Sequence, residues 1–149
     1  MNHAIQLLAA LAGSLGFAML FNLHGKPLIY ASLGGLFSWA VYLLVEFFNP
    51  NPYLCAFISS AALTLYAEVM ARRFKSPTTI FLVIAIIPLV PGAALYRSVN
   101  YMLQGLRALA QSESMHTLIF AASMSAGITL TSLVARLLHQ SLFSARRGQ

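Results

Sequence analysis

The chain has 149 residues, of which 59% are hydrophobic and only 8% charged. A soluble domain carries roughly a quarter charged residues, so this chain has too little charge to cover a water-exposed surface, and its apolar residues fall in blocks long enough to cross a bilayer. Nine Lys/Arg against three Asp/Glu leave a net charge of +6. That excess suits cytoplasmic loops of a membrane protein or a site for an anion. No basic stripe with interleaved aromatics points to nucleic acid.

The pattern predicts an all-α membrane protein, one integral domain over 1–149, with about five transmembrane helices and the fourth broken. The first segment, about 3–22, has no basic residue at its start, so it reads as a retained helix, not a cleaved leader. Ala9 and Gly13, then Ala12 and Gly16, recur at four-residue spacing, which lets helices approach closely in lipid. Gly25 and Pro27 mark the turn that follows. The second segment, about 28–48, carries Ala31 and Gly35 on one face, with Trp39 and Tyr42 as packing or interface groups. Pro50 and Pro52 end it.

The third segment, about 53–71, holds the small-residue patch Ser59–Ala62 and leads into Arg72-Arg73-Phe74-Lys75, the densest positive cluster. Ser76-Pro77 restarts a helix. The fourth segment, about 78–111, runs apolar to Ile87, meets Pro88-Leu89-Val90-Pro91-Gly92, and resumes a helical pattern from Ala93. Two prolines and a glycine at membrane depth free backbone groups that must be buried in protein or line a polar cavity. The fifth segment, about 115–138, is rich in hydroxyls from Ser123 to Ser132. These residues line a polar path or, as is commoner, bond back to their own backbone. A basic tail, Arg146-Arg147, follows. With the N-terminus outside, Lys26, the Arg72–Lys75 cluster, Arg136 and the tail all fall in the cytoplasm, and only Arg97 and Arg107 do not.

No Walker loop, dinucleotide fingerprint or nucleophile elbow is present, so the sequence points to neither an enzyme nor a cofactor. The single cysteine, Cys55, and the scattered His3, His24, His116 and His139 offer no metal-ligand spacing. The break is the strongest functional signal, because transporters bind substrates where discontinuous helices end near the bilayer midplane. A helix starting near Ala93 presents free N–H groups to an anion. Arg97 can grip a carboxylate with both arms of its guanidinium, and Tyr96 and Asn100 can add hydrogen bonds. The competing reading is a structural kink with Arg97 reaching to the interface. Glu68, four residues before Arg72, is either a local ion pair or a proton-carrying intramembrane acid.

Two stretches resemble the threonine/serine exporter family: Gly16-Phe17-Ala18-Met19-Leu20-Phe21-Asn22, and Ile87-Pro88-Leu89-Val90-Pro91-Gly92-Ala93-Ala94-Leu95-Tyr96. In length and order of spans the chain is similar to the family's short, YjjB-like type. The resemblance implies a bacterial inner-membrane subunit that matches the C-terminal half of longer members. It also implies a separate YjjP-like membrane subunit supplying the other half. The implied activity is export of small metabolites, threonine and serine in some members and succinate in a two-subunit system. Pro88, Pro91, Gly92 and Tyr96 carry over as motif positions only. No internal repeat is visible, so the counterpart half is expected in a partner or in a second copy of the chain. The alternative function is a membrane scaffold that stabilises a transporting partner without itself conducting substrate.

Overall fold

The computed structural model describes residues 2–147, and side chains over 2–137. It is all-helical: α1 (His3–Leu20), α2 (Lys26–Phe48), α3 (Pro52–Phe74), α4 (Thr78–Ile86), a single 3-10 turn (Ile87–Leu89), α5 (Gly92–Leu103) and α6 (Arg107–Arg147). Four helices are long and apolar enough to cross a membrane, and α4 with the 3-10 turn and α5 forms a bent pair, 57° at the break, which adds a fifth candidate span. The Arg146 and Arg147 side chains and His139 lie outside the described side chains.

The ends of the helices follow local chemistry. Asn51 accepts from the Tyr53 and Leu54 N–H groups, capping α3 ahead of Pro52 in its first turn. Asn22, Lys75 and Gly105 take left-handed backbone at φ 58°, 51° and 74°. In each case the next N–H reaches back across the last turn, Leu23 to Ala18 O, Ser76 to Ala71 O and Leu106 to Tyr101 O. This closure satisfies carbonyls that the helix would otherwise leave open. The Gly105 turn shortens the fourth segment. The sequence predicts one helical run to about 111, whereas the chain turns at Gln104–Leu106 and α6 begins at Arg107.

Packing relies on small residues, as expected where lipid removes most of the hydrophobic gain from bringing helices together. On α1 the inward face is Ala10, Ser14 and Ala18. The predicted Ala9–Gly13 and Ala12–Gly16 face is instead exposed, with open space beside Gly13 and Gly16. On α2, Ala31 and Gly35 are buried, and a methyl on Gly35 would come within 2.6 Å of Ser14 Cβ. On α6, Gly127 sits against Ser60 and the Phe57 carbonyl of α3. Tyr66 of α3 donates to the Tyr30 carbonyl of α2 at 2.6 Å. One apolar cluster gathers Ala18, Ala31, Ala67, Phe81 and Ile84. A second gathers Ala56, Leu63, Leu89, Phe120 and Met124. Large apolar side chains such as Leu20, Phe47 and Leu130 point outward, as a lipid-facing surface requires.

The contacts set direction. His116 of α6 packs on Tyr53 at the start of α3, and Gly127 lies by Ser60 further along, so α3 and α6 run parallel. The short turn at Gln104–Leu106 folds α6 back on α5, where Arg97 and Ser98 meet Glu113 and Ser114, so those two form an antiparallel hairpin. After the break α5 therefore continues toward the Asn49–Asn51 end. The 57° deflection keeps α5 running in the general direction of α4 instead of doubling back on it.

Candidate functional site

The break falls inside the bundle. Nine residues of α4 rise about 14 Å from the Lys75 end, close to half of a hydrocarbon core roughly 30 Å thick. Pro88 has no N–H to give, so the helix tightens into the 3-10 turn, and Val90 N–H closes on Ile87 O at 3.3 Å. The Ser38 hydroxyl of α2 lies 2.8 Å from the Ala85 carbonyl and 2.9 Å from the Gly35 carbonyl, and its single proton serves one or the other. The α4 end is thus satisfied within protein, as membrane depth requires. At the α5 start, Gly92 N–H reaches Val90 O at 2.7 Å and Leu95 N–H reaches Pro91 O at 3.1 Å. Ala93 and Ala94 N–H, in the first turn, have no backbone acceptor among the described residues. Gly92 and Ala93 are exposed, with open space beside Gly92.

Two clefts flank the turn. One, of about 290 Å³, lies between α1, α2 and the turn, and is lined by Gln6, Ala10, Gly13, Trp39, Ile87 and Pro88 among others. The other, of about 480 Å³, lies between the turn, α5 and α6, with Val90, Pro91, Leu95, Thr117, Met124 and Ser125 in its wall.

The sequence-predicted residues do not converge on one cleft. Pro88 lines the first and Pro91 the second. Tyr96, Arg97 and Asn100 line neither. Tyr96 points outward at 71% exposure. Arg97 is gripped by Glu113 through both arms, Nε to Oε1 at 3.1 Å and Nη2 to Oε2 at 3.2 Å. The Ser98 and Ser114 hydroxyls, 2.6 Å apart, add a second rung. Glu68 lies 3.6 Å from Arg72, a one-turn ion pair at the basic end of α3. Three hydroxyls of α6 bond back to their own helix, Thr117 to Glu113 O, Ser123 to Ile119 O and Thr129 to Ser125 O.

Glu113, Gln6 and Trp39 are the residues that sequence reasoning left unassigned at this site. Glu113 was findable. Arg97 and Glu113 stand the same number of residues either side of Gly105, so a hairpin turning on that glycine brings them together. Trp39 is a packing or interface group by sequence, and only the fold puts it beside Pro88.

Four helices able to cross a membrane, with a bent helix pair among them, define a multi-pass membrane protein with a helix discontinuity of the kind found in secondary transporters. Residues 6–134 match the family model described as "Threonine/Serine exporter, ThrE", and the chain belongs to that family, a family of exporters and not of enzymes. A threonine/serine exporter of Corynebacterium glutamicum is 28% identical over 142 residues, which cover 93% of this chain and 29% of that protein. An uncharacterized protein of Haemophilus influenzae is 26% identical over 98 residues, covering 66% of this chain and 33% of that protein. The chain thus spans about a third of the length of these curated relatives. No solved structure matches it.

Proposed function

We propose that this chain is the membrane subunit of a two-component secondary exporter for small carboxylate-bearing metabolites, threonine and serine or dicarboxylates such as succinate. The observation that carries the proposal is the start of α5. The free N–H group of Ala93 stands next to Gly92, both exposed, at the break between α4 and α5. Lipid cannot satisfy that group, so at membrane depth it faces either a water-filled path or another polypeptide. The open glycine face of α1 supports a second chain packing on this one. A YjjP-like subunit is the proposed occupant.

Charge supports a bacterial inner-membrane setting with the N-terminus outside. Lys26, Arg72, Arg73, Lys75 and Arg136 gather toward one end of the bundle. Arg97 lies toward the other end, but Glu113 neutralises it. In this reading Arg97 binds the substrate carboxylate, which displaces Glu113 from the same two-armed grip. Tyr96 and Asn100 flank it, and Glu68 carries a proton.

Replacing both prolines, Pro88→Ala with Pro91→Ala, tests the broken span. The double variant is expected to reach the membrane at normal abundance and to lose most efflux of labelled substrate from loaded cells. Normal abundance with normal efflux would remove the break from the mechanism.

A further inference from the structure

The chain's three carboxylates are Glu46, Glu68 and Glu113. Glu68 pairs with Arg72 and Glu113 with Arg97, whereas Glu46 has no cation within salt-bridge distance among the described residues. Glu46 lies in the wall of a cleft of about 580 Å³ between the start of α1 and the end of α2. That volume is within the usual range for ligand pockets. The wall is otherwise apolar, with Leu7, Leu43, Leu44, Phe47 and Phe48 in it, and His3 is its one other polar side chain. No Lys or Arg lines it.

The depth of this cleft follows from α2. Lys26 and Glu46 are 20 residues apart on that helix, so its rise separates them by about 30 Å, the thickness of a hydrocarbon core. The two charges therefore reach opposite boundaries of the bilayer, and the polar Asn49–Asn51 stretch follows Glu46 closely. The turn joining α1 to α2 lies at the Lys26 end, so the cleft opens where the two helices have no link. Leu44, Phe47 and Phe48 all point outward, which leaves the cleft open to the surrounding acyl chains.

We propose that this cleft binds a bilayer phospholipid whose headgroup carries a primary ammonium, with an acyl chain along the apolar wall and the ammonium on Glu46. The inference does not depend on the export reading. A carboxylate at the membrane boundary, partly stripped of water and without a counter-charge, favours a cation. An anionic headgroup meets repulsion from Glu46 and no basic side chain. A small water-soluble zwitterion leaves its acid group unpaired and the apolar wall unfilled. Among cationic headgroups, a primary ammonium donates three N–H groups and makes charge-assisted hydrogen bonds. A trimethylated amine bears the same charge and donates none.

The full chain in an uncharged detergent is titrated with dioleoyl-phosphatidylethanolamine and, separately, with dioleoyl-phosphatidylcholine, and bound lipid is counted by native mass spectrometry. The two lipids share chains, phosphate and net charge and differ only in the methyls on nitrogen, so the basic residues at the other end of the bundle do not separate them. The ethanolamine lipid is expected to bind at concentrations roughly fivefold or more below the choline lipid. Glu46→Gln keeps the shape and removes the charge. It is expected to bring the two lipids to equal binding, with thermal unfolding in the absence of lipid unchanged. Ala40→Phe, which fills the groove from the α2 side, is expected to weaken both lipids. Equal binding of the two lipids to the wild-type chain, a preference that survives Glu46→Gln, or unchanged binding in Ala40→Phe would overturn the site. Retention of neither lipid would also overturn it and would point to a basic segment of another chain as the occupant.

Discussion

Gly127→Leu is expected to remove most folded protein from the membrane, whereas Gly16→Ala on α1 is expected to leave abundance and thermal stability close to wild type. The two glycines look alike in sequence but meet different surroundings. A methyl at Gly127 would already lie against Ser60 Oγ, 2.5 Å from the Phe57 carbonyl oxygen and 3.3 Å from the Ala61 backbone nitrogen. Two of those atoms belong to the α3 backbone and cannot swing aside, so α6 would have to move off α3. Overpacking of this kind costs about 1–3 kcal/mol for one or two added carbons, and leucine adds four. In a bilayer the loss is not offset by burying apolar area, because the lipid already solvates the helices. At Gly16 a methyl meets nothing within 4 Å, and alanine favours helix by roughly 1 kcal/mol. Folded yield and thermal unfolding of both variants in the same detergent check the contrast. Equal behaviour would mean that α3 and α6 do not pack through Gly127.

Charge exchange at Arg97 and Glu113 is expected to separate holding the fold from binding substrate. The pair is partly open to solvent, with side chains 48% and 26% exposed. At that exposure the pair adds little to stability, so breaking it leaves α5 on α6, where Ala94 and Ser98 remain buried. Arg97→Glu and Glu113→Arg should each leave the protein folded, and the exchanged double variant should restore the ion pair. If Arg97 binds the substrate carboxylate, its loss affects efflux far more than stability. Arg97→Glu and the double variant should both lose most efflux at normal abundance, since neither offers the substrate carboxylate a two-armed guanidinium at position 97. Recovery of efflux in the double variant would make the pair a structural clasp and remove Arg97 from the site.

Much of this fold is written into the sequence. The spans follow from apolar runs bounded by Gly25-Lys26-Pro27, Asn49–Pro52 and Ser76-Pro77, each of which has a local reason to stop a helix. The break follows from Pro88, Pro91 and Gly92, whose effect on the backbone is nearly independent of context. The Gly105 turn was less legible because a lone glycine in a helical pattern is often tolerated. Only the Schellman-type closure, with Gly105 N–H on Met102 O and Leu106 N–H on Tyr101 O, makes it a helix end. The inward face of α1 was not legible for a related reason. Four-residue spacing of small residues fits Ala9–Gly13 and Ala10–Ser14 equally well, and the close approach of Ser14 to Gly35 decides between them. The site was least legible. Gln6, Trp39 and Pro88 come from three separate segments, and nothing in their spacing announces that they share a cleft.

The most direct test of the two-component export account is efflux of labelled threonine, serine and succinate from loaded cells that lack their own exporters. Four strains are compared, carrying neither subunit, this chain alone, the YjjP-like partner alone, or both, with partner abundance followed by blot. The account predicts efflux only when both are present, at equal partner levels. Equal efflux from the partner alone would contradict it and make this chain a scaffold.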